Sequence, residues 1–322
     1  MRPVFLVAAA LAAESGNATP GDANRLRRMD RFGRSGFLAG THAFAASGVP
    51  RPSDPDARSG VIVGTRHGCR PAITEHAARL AGAARVEDLA PSVFAATVHN
   101  SVNGELAMAL GLGGVSETIV SGRTSGLEAL ILGARRVASG DTDRMLVVAA
   151  EGVDDATREA WAEERSALGR RAAGVELVET GVSVLLEAGE REEEIALEER
   201  FPARYVADTL FFEPDARRAK ARFFEWVREV DARAGGDARP AAVSLCAPDY
   251  EDFLEGEEGG GGDAPRIERF GAGGMYEIAR DIAARRAQAT HLLPPRSPSK
   301  KTRVYVTRDV TGAVAAVALE FF

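Results

Sequence analysis

Short apolar or β-branched runs alternate with longer helix-patterned stretches along this chain, and that alternation constrains the fold more than any single motif. Runs at 3–9, 60–64, 117–121, 144–150 and 181–187 are flanked by glycine or polar residues and read as strands. Stretches at 24–47, 71–82, 100–111, 124–139 and 154–168 read as helices. Such alternation predicts a mostly parallel sheet covered by helices. The theme returns more weakly in helix 214–234, strand 241–246, helix 273–287 and strands 303–308 and 312–320. Between them, Glu255–Asp263 has the composition of a flexible acidic linker. A chain of 322 residues with 45% hydrophobic content can bury a large core, as one big domain or as two fused halves.

Charge and composition narrow the partners. A formal net charge of −7 argues against nucleic acid. The basic run Pro294–Arg303 reads as a solvated loop. Two cysteines, Cys69 and Cys246, make no disulfide framework, and five scattered histidines give no metal-ligand spacing. Neither a metal nor a cofactor is expected. No run approaches the roughly 18 apolar residues of a membrane span. The expected setting is soluble and cytoplasmic.

One ordered series of motifs is more specific. It starts with Met1-Arg-Pro-Val-Phe-Leu-Val-Ala and continues through Arg27-Arg-Met-Asp30-Arg-Phe and Gly60-Val-Ile-Val-Gly64-Thr. Then come Ala90-Pro-Ser-Val-Phe94, His99-Asn100-Ser-Val-Asn-Gly104-Glu-Leu-Ala107 and Leu110-Gly-Leu-Gly-Gly. Glu117-Thr-Ile-Val-Ser-Gly-Arg123-Thr-Ser-Gly-Leu127-Glu-Ala-Leu130 reads as a short strand, a tight small-residue turn and a helix. Ala134–Asp143 and Met145–Glu151 complete the series. In order and spacing, these segments resemble the β-ketoacyl-acyl-carrier-protein synthases across about residues 1–190. The resemblance implies a thiolase-like α/β fold, layered α/β/α/β/α from two related halves. It places a ketosynthase-like N-terminal half at 1–190 and a short, diverged C-terminal half at 191–322. Residues 1–13, MRPVFLVAAALAA, carry the marks of a signal peptide. The resemblance instead makes them a central strand and turn, which is the reading preferred here.

At the turn, the family's nucleophilic cysteine is expected where this chain has Arg123. A thiol at a helix start is favoured as thiolate by the dipole. A guanidinium has no nucleophilic lone pair, and its charge opposes the dipole by roughly 0.3–1 kcal/mol. The family's two active-site histidines are also missing from the matching segments 241–250 and 267–278, and His291 reads as a loop residue. The last hairpin, around Val306–Gly312, sits where the family has a Phe-Gly-Phe-Gly-Gly turn. No catalytic residue is therefore assigned. Ser121, Thr124 and Ser125 have no evident base beside them, and Ser121 and Thr124 read better as helix caps.

The resemblance implies a non-catalytic subunit of the chain-length-factor type, paired as a heterodimer with an active ketosynthase in fatty acid, polyketide or related chain elongation. Phe94, His99, Asn100, Met108, Ser121 and Thr124 become pocket or interface candidates. Phe94 and Met108 could equally be core, and His99-Asn100 could cap the next helix. Two other readings stay open: a scaffold or carrier-binding subunit without a product-shaping pocket, and an atypical acyltransferase or decarboxylase using Arg123. Arg25, Arg27, Arg28, Arg31 and Arg34 cluster at the start of the first long helix. Arg28 and Arg31 are the proposed docking residues for an acidic acyl carrier protein. A solvated helix face is the alternative reading.

Overall fold

The computed structural model describes residues 1–12, 22–83, 85, 91–168, 176–189, 202–234, 267–268, 272–289, 301–309, 311 and 313–321. The sequence-level strand 241–246, the linker 255–263, Cys246, His291 and the basic residues 294–300 lie outside them. In chain order the elements begin with β1 (Val4–Leu11), α1 (Ala23–Leu26), α2 (Arg31–Ala46), β2 (Ser59–Thr65), α3 (Arg70–Gly82), α4 (Pro91–Ala95) and α5 (Ser101–Leu110). Next come β3 (Ser116–Val120), a 3-10 turn (Gly122–Thr124), α6 (Ser125–Ser139), β4 (Arg144–Glu151), α7 (Asp155–Leu168), β5 (Glu176–Leu177) and β6 (Thr180–Ala188). The second part holds β7 (Ala203–Phe212), α8 (Ala216–Ala234), β8 (Ile267–Glu268), α9 (Gly273–Ala289), β9 (Lys301–Arg308) and β10 (Ala313–Phe321).

Alternating side chains sort these elements into layers. Along β4, Met145, Val147 and Ala149 face one core cluster while Leu146, Val148 and Ala150 face another. The same alternation runs along β10, with Ala315, Val317, Leu319 and Phe321 on one side and Val314, Ala316 and Ala318 on the other. Helices α2 and α5 cover the outer face of strands β1, β2 and β4 through Phe37, Phe44 and Leu106. Leu127, Leu130 and Ile131 of α6, with Met275, Ile278 and Ile282 of α9, fill the middle layer between this sheet and β9–β10. Phe223, Val227 and Val230 of α8 close the far side. The result is the α/β/α/β/α sandwich of a thiolase-like fold.

The two sheet portions join into one eight-stranded sheet in the order β3-β2-β4-β6-β1-β7-β10-β9, through a short β1–β7 pairing at Val4↔Tyr205 to Leu6↔Ala203. Within it β2 pairs with β3 and β4 in parallel, while β1–β6, β1–β7, β4–β6, β7–β10 and β9–β10 are antiparallel. The expected mostly parallel sheet is therefore mixed. Strand direction is decided by distant pairings that a local apolar run does not encode. The expected helix 24–47 is likewise broken. Asp30, with ψ of −177°, is extended and caps α2 by accepting from the Gly33 N–H at 2.7 Å. Val4–Leu11, where the signal-peptide and strand readings competed, forms a strand inside the sheet, and its Phe5, Leu6 and Ala8 are fully buried.

Candidate functional site

Because β2, β3 and β4 are parallel, their C-terminal ends gather on one edge of the sheet, where open α/β sheets commonly place ligand sites. That edge carries the Thr65–Cys69 loop, the Ser121–Thr124 turn and Glu151. Gly122 starts the turn with φ of +78°, a left-handed conformation that favours glycine, and a Cβ there would stand 2.5 Å from Asp309 Oδ2.

Arg123 is fully buried. Its Nη1 donates to Glu164 Oε1 at 2.6 Å, and its guanidinium lies 5.9 Å from the ring centre of Trp161. Trp161 and Glu164 are three apart on α7 and share one face of it. Glu164 also takes Arg66 Nη2 at 3.1 Å. Burial pushes against its charge, but the Arg123 hydrogen bond and the two guanidinium fields hold its carboxyl below the ordinary value. A buried guanidinium needs a counter-charge, and here a carboxylate 41 residues downstream supplies it. The Arg123 backbone N–H donates to Asp309 Oδ2 at 2.9 Å, and Asp309 Oδ1 accepts from Thr311 N at 2.9 Å.

Beside this pair, Glu151 is fully buried and accepts from the N–H groups of Arg66 and, at 3.1 Å, His67. Burial nevertheless raises its carboxyl to about 7. Burial, then the guanidinium of Arg66, lowers His67 to about 4, which keeps the ring neutral. Cys69 is buried, its Sγ 3.5 Å from His99 Nδ1, and burial lifts the thiol to about 11. Such a thiol is unreactive at neutral pH. His99 crowds Gly68, where φ is +53° and a Cβ would stand 2.2 Å from His99 Nδ1.

The hydroxyls of the turn are engaged, though not as caps. Ser125 Oγ accepts from Ser121 N at 2.9 Å and donates to Gly122 O at 2.7 Å. Thr124 Oγ1 lies 3.1 Å from the Ser121 carbonyl and also meets the carboxylate of Glu128, a neighbour the sequence reading overlooked. Neither Ser121 nor Thr124 makes a side-chain cap, nor does Asn100. Thr124 (φ −83°, ψ −11°) and Asn100 (φ −88°, ψ 9°) lack the extended backbone typical of an N-cap.

Phe94 and Met108 are not core residues: they are 61% and 66% exposed, Phe94 with its ring edge-on to His76 at 5.9 Å. A pocket of about 150 Å³ lies between the starts of α2 and α5, lined by Arg28, Met29, Asp30, Val102 and Glu105 among others; Arg123 is not part of it. Arg28 is exposed, whereas Arg31 reaches Glu179 at 3.4 Å and Arg25 reaches Glu105 at 2.6 Å. Among the described residues, no group of three or more His, Cys, Asp or Glu side chains could hold a metal, and no helix is long and apolar enough to cross a membrane.

Residues 15–171 match the family model for the β-ketoacyl synthase N-terminal domain. Solved ketosynthases share the whole architecture. The ishigamide ketosynthase/chain length factor superposes with a TM-score of 0.73 at 19% identity, over 99% of both chains. The ketosynthase assembly of a type II PKS acyl-carrier protein in complex with its hexaketide-bound ketosynthase gives 0.76 at 18% identity, over 100% of both. Residues 15–171 are thus those of a β-ketoacyl synthase N-terminal domain. The chain is 33% identical over 126 residues to the 3-oxoacyl-[acyl-carrier-protein] synthase 2 of Vibrio cholerae serotype O1, a match covering 39% of this chain and 30% of that protein. The counterpart from Vibrio harveyi is 32% identical over the same share. The chain thus spans about a third of the length of those curated relatives in its match. Arg123 lies inside the matched domain. Glu164, Trp161 and Asp309 escaped the sequence reading. The only signal for them was the need of a buried guanidinium for a counter-charge.

Proposed function

We propose that this chain is a non-catalytic ketosynthase-like subunit of the chain-length-factor type, which pairs with an active β-ketoacyl synthase during chain elongation on an acyl carrier protein. One observation carries the reading: at the position where a nucleophilic cysteine is expected, Arg123 is fully buried, paired to Glu164 and closed over by Asp309. A buried, ion-paired guanidinium neither attacks a thioester nor opens a tunnel to one. In this reading residues 1–190 and 191–322 are the two halves of one ketosynthase-like unit.

In this reading the exposed Phe94 and Met108 and the outer strand β3, which pairs with β2 alone among the described residues, form the pairing face. An outer strand leaves backbone groups free to meet a partner, and Val120 at its end is 48% exposed. Phe94 and Met108 would then close one side of a product pocket completed by the ketosynthase. Arg28 and Arg31 would receive the carrier protein. The packed interior around Arg123 also favours a second reading, a carrier-binding scaffold that shapes no product. Products made by the paired ketosynthase separate the two. Phe94→Ala and Met108→Ala lengthen the product in the first reading, while an unchanged length distribution rejects it for the second.

A further inference from the structure

The backbone N–H at residue 123 is the donor that a ketosynthase-like turn would aim at the negative charge developing on an attacked carbonyl, since fixed backbone donors beside a nucleophile stabilise an oxyanion. Here it is already used. Asp309 reaches in from the end of β9 and accepts this N–H at 2.9 Å through Oδ2, while Oδ1 holds the Thr311 N–H at 2.9 Å. The backbone of Asp309 is pinned in turn, its N–H donating to Ala313 O at 2.8 Å. Its side chain packs so closely on Gly122 that any Cβ there would collide with Oδ2. Asp309 as a whole is only 5% exposed. Burial alone would disfavour its charge, but the N–H groups of Arg123 and Thr311 outweigh burial and hold the carboxyl below its usual value.

We propose that Asp309 is an intramolecular anion seated on the oxyanion donor of the nucleophile turn, so that the site is shut twice, once by Arg123 and independently by Asp309. Restoring a thiol at residue 123 would then not restore acyl transfer. This inference rests on the reading of residue 123 as the nucleophile position, and its test does not involve the ketosynthase partner.

The probe is p-nitrophenyl acetate with Arg123→Cys and with Arg123→Cys/Asp309→Ala. The thiol loses its proton to water, and its sulfur forms a bond to the acetyl carbon as the carbonyl electrons move to oxygen. Collapse of that oxyanion breaks the ester C–O bond, releasing p-nitrophenolate and leaving a thioester. The double variant is expected to acetylate at residue 123 on the order of a hundredfold faster than the single one, the scale of one oxyanion donor. Equal rates in the two variants, including no reaction in either, overturn the proposal. An independent readout is the Arg123 amide proton in the otherwise native protein. Asp309→Ala is expected to shift it upfield as the carboxylate acceptor is lost, and an unmoved resonance also overturns the proposal. Failure on either readout leaves the pairing with a ketosynthase untouched, because neither measures it.

Discussion

Replacing Glu164 by glutamine tests whether the Arg123 turn is held by charge. Glu164 joins two guanidiniums, Arg123 at 2.6 Å and Arg66 at 3.1 Å, and the Arg123 side chain is 0% exposed. Removing one partner of a buried pair typically costs about 3–5 kcal/mol, because a buried charge is left uncompensated. Glu164 keeps 18% of its side-chain surface, so the low end, about 3 kcal/mol, is expected. Arg123→Met should cost less, under about 1.5 kcal/mol, because it removes the buried cation while Glu164 keeps Arg66. Urea unfolding reads the contrast. With a slope near 3 kcal/mol per molar, Glu164→Gln lowers the midpoint by about 1 M and Arg123→Met by at most half of that. Acid supplies a second check. A carboxyl whose pKa is depressed by folding contributes stability above its unfolded pKa and loses it as pH falls through the folded one. The gap between wild type and Glu164→Gln should therefore narrow below the ordinary carboxylate range and stay constant between about pH 6 and 8. Equal costs for the two substitutions, or a Glu164→Gln cost under about 1 kcal/mol, would refute a charge-locked turn.

Further outcomes follow from the same geometry. Gly122→Ala forces a left-handed alanine against Asp309. It should destabilise by about 1–3 kcal/mol in the same urea assay, and a neutral result would mean that the turn relaxes freely. Glu151, raised to about 7 by burial, is held neutral by folding. Its contribution is complete below its unfolded pKa and is lost as pH rises through about 7, so stability relative to Glu151→Gln should fall across that window by up to ~1.4 kcal/mol per pH unit. A pH-independent difference between the two proteins would contradict the raised carboxyl. The double reversal Arg28→Glu/Arg31→Glu should weaken acyl carrier protein binding and flatten its salt dependence, and unchanged affinity would remove the proposed docking surface.

Much of the fold was legible because its strands are short, apolar and bounded by glycine or polar residues. The sequence-level runs 60–64, 117–121 and 144–150 fall within a residue or so of Ser59–Thr65, Ser116–Val120 and Arg144–Glu151. β7 went unread although Tyr205-Val-Ala-Asp-Thr-Leu-Phe-Phe212 is rich in strand-forming residues. Polar Asp208 and Thr209 interrupt its apolar run, and Asp208 is met by Arg135 of α6 and Tyr205 of its own strand. At the candidate site the sequence singled out Arg123, where one residue departs from the pattern the resemblance implies, and the structure buries that residue. Its surroundings were not legible. Glu164 comes from α7 and Asp309 from a hairpin 186 residues away, and only packing brings them to the turn. The capping roles failed because Thr124 and Asn100 have near-helical backbones, which turns their side chains to other partners or to solvent.

The most direct test of a partner-dependent, nucleophile-less subunit is the solution mass of the chain, alone and mixed with the active β-ketoacyl synthase of its own pathway. A one-to-one heterodimer that forms with wild type and is lost when Phe94 and Met108 are replaced by aspartate is the predicted result. A stable homodimer that ignores the ketosynthase would contradict it.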